Sequence, residues 1–246
     1  MPSEMIDVQT PDGVADAYLT RPDDEPHPGV LFIMDAYGLR PQIEQMADRI
    51  AARGYVVLAP NVFYRAGRAP VVSLDGIGDP DRREEVFGRV MPLVRGLTTE
   101  QVDSDGAAYL GALEQVAPGP VAITGYCMGG RVGWKIAAAC PERVAGLGGF
   151  HVGGLVTDAD DSPHHSADRL AAEVYLGFAD NDRSATPEQI EAVGRALDAA
   201  GVRYESAVYP GAAHGYTMAD TPAYHEAAAE RHFRELFALL DRAVPS

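Results

Sequence analysis

The sequence predicts an α/β fold, a mostly parallel sheet with helices on both faces. Three observations carry that reading. Short unbroken apolar runs such as Gly29–Met34 have the pattern of strands buried on both sides. They alternate with segments of helical periodicity, the order that builds parallel sheets. The 246 residues, 46% hydrophobic and 23% charged, suffice for a sizeable core.

Met5–Gln9 and Ala15–Thr20 flank the turn signal Thr10-Pro11-Asp12-Gly13, predicting a hairpin that adds antiparallel strands at one sheet edge. Gly29–Met34 is the next strand. Ile43, Met46, Ala47, Ile50 and Ala51 recur at helical spacing, and Gly54 ends that helix. Tyr55–Ala59 is a buried strand closed by Pro60. Residues 65–99, rich in Gly, Pro and charge, form the least regular stretch, with a short helix around Arg83–Val94. Such an excursion is either a lid or pocket wall or a solvated surface loop. A helix at 100–117, a strand at Val121–Thr124 and a helix from Met128 to Cys140 follow. Strands near Val144–Phe150 and Glu173–Phe178, a helix at Pro187–Ala200, a strand at Arg203–Tyr209 and a final helix at Pro222–Ala243 complete one expected domain over 1–246.

The formal charge of −16, from 20 basic and 36 acidic residues, argues against nucleic acid or an anionic membrane as partner. No stretch approaches the roughly 18 apolar residues of a membrane span. Met1–Thr10 lacks the basic start and apolar run of a signal peptide. Cys127 and Cys140 are too few for a disulfide framework or a zinc site. A cytoplasmic protein acting on a small molecule is expected.

The most informative segment is Val121-Ala-Ile-Thr-Gly125-Tyr126-Cys127-Met128-Gly129-Gly130, a strand running straight into a helix. Gly-x-Cys-x-Gly is the pattern of a nucleophile elbow with cysteine in place of serine. The flanking glycines make room for a strained turn. Cys127 then sits at a helix N-terminus, where the dipole favours a thiolate, and the Met128 N–H faces the same space. The competing Rossmann reading fails because Cys127 occupies the central glycine of that fingerprint. Cys140 has no comparable setting and reads as structural.

A cysteine nucleophile needs a base, and the base a group that orients it. Two later strand ends supply both. Glu173–Phe178 runs into Ala179-Asp180-Asn181-Asp182, and Arg203–Tyr209 into Pro210-Gly-Ala-Ala-His214-Gly215. With Cys127 they fall at carboxyl ends of strands, where parallel sheets place their sites. His214 is the expected base and Asp180 the expected orienting acid, with Asp182 as the alternative.

These segments resemble the dienelactone hydrolase family of α/β-hydrolases. The resemblance rests on Gly125-Tyr-Cys-Met-Gly-Gly130, Gly177-Phe-Ala-Asp180 and Tyr209-Pro-Gly-Ala-Ala-His214-Gly215, with Asp35-Ala-Tyr-Gly38 and Ala59-Pro-Asn-Val-Phe-Tyr64 in support. It implies hydrolysis of a lactone or ester through a thioester, with no metal or organic cofactor. It carries Cys127, Asp180 and His214 over as the triad and adds the Ala36 N–H as a second oxyanion donor. Two positions depart from the best-known members. Asp35 stands where they have a glutamate thought to activate the thiol. Met218 stands where an arginine grips the substrate carboxylate, and a thioether cannot replace a bidentate guanidinium. A second substrate arginine would fall near Arg82 or Arg83. A more neutral lactone or ester is therefore expected.

His151, Tyr37 and Tyr126 are candidate pocket residues, and Trp134 is expected in the core. Asp158-Ala-Asp160-Asp161-Ser-Pro-His164-His165 reads as a solvated acidic loop, since no regular spacing converges its ligands. The rivals to a cysteine-dependent hydrolase are a non-catalytic ligand-binding or thiol-sensing protein of the same fold, and an acyltransferase.

Overall fold

The apolar runs assemble as their patterns demand. The computed structural model describes residues 1–246. One eight-stranded sheet has the order β1-β2-β4-β3-β5-β6-β7-β8. Strands β1 (Ser3–Thr10) and β2 (Gly13–Thr20) form the expected hairpin, and β2 pairs antiparallel with β4 (Val56–Pro60). Every other pairing, through β3 (Gly29–Ile33), β5 (Val121–Tyr126), β6 (Val144–Phe150), β7 (Glu173–Ala179) and β8 (Tyr204–Tyr209), is parallel. The central strands β3, β4 and β5 are buried along their whole lengths, which explains their lack of polar alternation.

Helices α1 (Pro41–Ala51) and α6 (Glu226–Ala243) cover one face, and α3 (Thr99–Glu114) and α4 (Met128–Ala139) the other. Helix α5 (Pro187–Ala200) packs on the short 3₁₀ segment Pro163–Arg169, which in turn packs on α4. Trp134, Tyr55, Tyr109 and Tyr126 are among the largest fully buried side chains, Trp134 as expected. No helix is long and apolar enough to cross a membrane.

The topology fixes where a site can form. From β3 the chain first moves out to β4, then returns to place β5 on the other side of β3. The carboxyl ends of β3 and β5 thus border a crevice at a topological switch point. The loop carrying Ala36 and the turn carrying Cys127 both open onto it.

Two elements differ from expectation. The helix within the 65–99 excursion, α2, spans Pro80–Gly96, so it starts earlier and ends later than the expected Arg83–Val94 and keeps Gly88 and Pro92 inside it. It holds because Val86 and Val90 bury against Val72 and Ile77, and Asp79 caps its start. The final helix begins at Glu226 rather than Pro222: the His225 ring accepts the Ala228 N–H as a cap, and the preceding residues turn along the crevice.

Candidate active site

The turn between β5 and α4 is as tight as the glycines imply. Cys127 has φ 55° and ψ −119°, a conformation that is costly for a non-glycine residue. A side chain at 125 would put its Cβ 2.2 Å from the Gly129 carbonyl oxygen. One at 129 would lie 2.3 Å from Met34 O and 2.4 Å from Ile33 O. These are backbone collisions that no rotamer relieves. At 130 the Cβ would meet the Val152 side chain, so Gly130 lets α4 approach the loop that follows β6.

Cys127 Sγ lies 3.0 Å from His214 Nε2, and His214 Nδ1 lies 2.6 Å from Asp182 Oδ2. A carboxylate only accepts, so Nδ1–H donates to it and Nε2 faces the sulfur. Asp182 is fixed by Ser184, whose N–H and Oγ–H both donate to its Oδ1, at 2.8 and 2.6 Å. Burial alone would lower the pKa of His214. The sulfur and the Asp182 carboxylate outweigh it and raise the ring to about 10. Burial likewise pushes Asp182 up, but the His214 hydrogen bond and charge, with the Ser184 donors, hold it at about 2.

The acid expected beside His214 is therefore corrected: Asp180 is elsewhere. Its Oδ2 accepts the Gly211 N–H at 2.8 Å, and its own N–H donates to Ala212 O. Asp180 ties the end of β7 to the loop after β8. Asn181 follows in the left-handed region at φ 53° and reverses the chain, which turns Asp182 back onto the imidazole.

Asp35, the candidate thiol activator or pocket residue, lines the cavity and is held by Arg40. Both its oxygens take Arg40 N–H groups, at 2.6 and 3.1 Å, and Oδ1 also accepts the Tyr37 N–H. Arg40 turns its remaining edge to Asp220. Burial raises the Asp35 carboxyl and Arg40 opposes that rise, while the same two acids raise the Arg40 guanidinium further. This buried pair anchors the loop after β3. Spacing could not reveal it, because Asp220 is 180 residues from Arg40.

Above the sulfur opens a cavity of about 860 Å³ with mostly apolar walls. Of the candidate pocket residues, Asp35, Tyr37, Arg83, His151 and Met218 line it, and so do Ala36 and Met128. Tyr126 does not, and this too is a correction. It points to the opposite face of the sheet, fully buried between Phe32 and Phe150, with its hydroxyl 2.9 Å from His232 Nε2. His151 lies edge-on to His214 and bonds Thr217 Oγ1 through Nε2. Burial first, then the neighbouring histidines, lowers its pKa and keeps it neutral. Arg83 donates to Ile77 O, whereas Arg82 packs against Gly76. The residues missed from sequence are Phe87, Val90, Met91 and Val94 on α2, together with Arg131 and Arg183. The four-residue interval from Cys127 to Arg131 at the head of a helix was the available signal for the arginine.

The Ala36 N–H has no hydrogen-bond partner within the protein. Met128 opens α4, where the first N–H groups lack intrahelical acceptors.

Comparison with known proteins agrees with this architecture. A sequence model of the dienelactone hydrolase family matches residues 15–244. A Salmonella typhi protein provisionally named a carboxymethylenebutenolidase is 31% identical over 226 residues, covering 87% of this chain and 77% of its own. An Escherichia coli K12 protein with the same provisional name is also 31% identical, over 224 residues and with the same coverage. Among solved structures, a Klebsiella pneumoniae protein provisionally named a dienelactone hydrolase superposes with TM-score 0.83 at 24% identity, covering 98% of both chains. The chain belongs to the dienelactone hydrolase family, the carboxylic ester and lactone hydrolases of the α/β-hydrolase superfamily.

Proposed function

We propose that this hydrolase cleaves a small lactone or carboxylic ester through a Cys127 thioester, with His214 as acid and base and Asp182 as the orienting carboxylate. The observation that carries the reading is the aligned chain from sulfur to ring to carboxylate, at 3.0 and 2.6 Å, on the floor of the cavity.

His214 takes the thiol proton, and the sulfur is the nucleophile. Attack on the carbonyl carbon forms the C–S bond and moves the carbonyl π pair onto oxygen. The N–H groups of Met128 and Ala36 are in place to hold that oxyanion. Its collapse breaks the C–O bond, and the leaving alkoxide takes the His214 proton; from a lactone the new hydroxyl stays attached to the acyl chain. Water then attacks the thioester, gives its proton to His214, and the thiolate leaves with the acid released. No metal or organic cofactor is required by these steps. A free reactive thiol suits a reducing compartment, and we assign the activity to the cytoplasm. The helix α2 wall over the cavity, with Phe87 and Met91, supports the lid reading of the 65–99 excursion.

Intact-protein mass spectrometry during turnover of a 4-nitrophenyl ester tests the scheme. Wild type gains the acyl mass and loses it as acid forms, while Cys127→Ala does neither. Retention of most activity by Cys127→Ala would end the mechanism. A thiol that oxidises readily without ester turnover would point to a sensor instead.

A further inference from the structure

Beside the main cavity lies a second, of about 400 Å³, with Leu97, Val102 and Pro163 among its apolar walls and Lys135 and Asp161 among its polar ones. Met91, Val94, Arg131 and Gly154 line both spaces, so the two share a boundary and Arg131 stands on it. Helix geometry explains the placement. Residues four apart share one helix face, and Cys127, Arg131 and Lys135 follow each other at that interval along α4. Each step advances about 6 Å along the axis, so one face leads from the sulfur past the guanidinium to the lysine.

The charges along this path do not cancel. Every acid lining the two cavities already faces a cation: Asp35 faces Arg40, Asp182 faces His214, and Asp161 faces Lys135 at 2.8 Å. Arg83, Arg95, Arg131 and Arg183 also line them, and none has a carboxylate within ion-pair distance. That is notable in a chain with 36 acids against 20 bases, where most cations are paired. Arg131 is half-buried, with its Nη1 over the space that a side chain at Gly154 would fill. A guanidinium partly withdrawn from water and left without a counter-ion is an arrangement suited to an incoming oxyanion.

We propose that the second cavity is an anion subsite for the far end of an elongated substrate. The ester carbonyl lies at Cys127, an apolar spacer runs along Met91 and Val94, and a terminal carboxylate or phosphate meets Arg131, which selects for it. The proposal rests on the hydrolase reading above and specifies its substrate class. It also gives the site an anion contact on α4 rather than after β8, where Met218 stands.

The test compares 4-nitrophenyl monoesters of dicarboxylic acids, from succinic to suberic, with neutral alkanoyl esters of matched length and with a phosphate-terminated ester. In wild type the anionic-to-neutral ratio of kcat/KM rises with spacer length to roughly tenfold or more, and Arg131→Gln lowers that ratio about 10- to 100-fold. Arg131→Lys retains part of it, and Arg234→Gln, an exposed change of equal charge, leaves it unaltered. The better of the carboxylate and phosphate arms identifies the terminal group. A ratio near one at every length, or equal loss on charged and neutral esters, overturns the proposal. Calorimetry of suberate and of an alkyl phosphate with Cys127→Ser reads the subsite without turnover. Binding that disappears in Cys127→Ser/Arg131→Gln supports the subsite even if ester hydrolysis fails; no binding of either probe overturns it even if hydrolysis succeeds.

Discussion

Asp180 and Asp182, two residues apart, face opposite tasks: Asp182 meets His214 Nδ1 at 2.6 Å, whereas Asp180 holds the Gly211 N–H at 2.8 Å. Substitution separates them. Asp182→Asn lowers kcat/KM for an activated ester by about 10²- to 10⁴-fold, since the amide no longer orients or stabilises the imidazolium. Asp180→Asn changes activity less than about tenfold and lowers stability by about 1–2 kcal/mol through the lost loop tie. Ester kinetics and urea unfolding of both variants check this; the reverse order of effects would exchange the roles.

The His214 ring, raised to about 10 from an ordinary 6.5, makes stability depend on pH in a defined sense. A raised pKa means that the folded state favours the protonated ring, so its contribution is full below 6.5 and fades as pH climbs towards 10. Asp182, held at about 2, contributes above its ordinary 3.8 and loses that contribution as pH falls towards 2. The stability gap between wild type and His214→Gln is therefore widest between these limits and closes on the alkaline side. Because the sulfur helps raise the ring, Cys127→Ser moves the His214 titration downward in an NMR experiment. An unchanged titration would remove the sulfur as its cause.

Alanine at 125 or 129 meets backbone, whereas alanine at 130 meets the movable Val152 side chain. Gly125→Ala and Gly129→Ala are expected to cost about 3 kcal/mol or more, and Gly130→Ala less. Thermal melts rank the three, and a milder effect at 129 than at 130 would contradict the contact geometry.

Arg40 neutralises two carboxylates from within the protein, its side chain 5% exposed. Arg40→Met leaves Asp35 buried and unpaired, at a cost of about 3–5 kcal/mol. Since Asp35 also fixes the Tyr37 N–H beside Ala36, activity falls with stability. The Asp35→Asn change is milder on both counts, as chemical denaturation paired with ester kinetics will show.

Phe87 is 42% exposed on the α2 wall of the cavity. Phe87→Ala changes stability by no more than about 0.5 kcal/mol, as expected away from the core. KM for a long apolar ester rises severalfold while that for an acetyl ester holds. Equal effects on both substrates would remove α2 from substrate contact.

The strand and helix order and the elbow were legible because they rest on local rules: apolar runs, helical spacing, and glycines around a cysteine. Asp180 and Asp182 follow the same strand two residues apart, and the left-handed Asn181 decides which carboxylate faces the ring, a backbone state that leaves little trace in composition. Tyr126 was misplaced for a related reason. Successive strand residues face opposite ways, so adjacency to Cys127 sends its ring to the far side. The Arg40 bridge joins distant segments and carries no periodic signal. Helix α2 exceeds its expected span at both ends, starting at Pro80 where the Asp79 side chain caps it, and a lone acid ahead of a proline is a weak start signal in a charged, glycine-rich stretch.

The close seating of Gly129 under the carbonyls of Ile33 and Met34 has a mechanical consequence. Ala36 stands two residues beyond Met34, and Met128 one residue before Gly129. The spacing between those two amides is thereby gauged by one rigid main-chain abutment, independent of how surrounding side chains repack. Variation in the walls can then retune which molecules enter while the gauge itself stays constant.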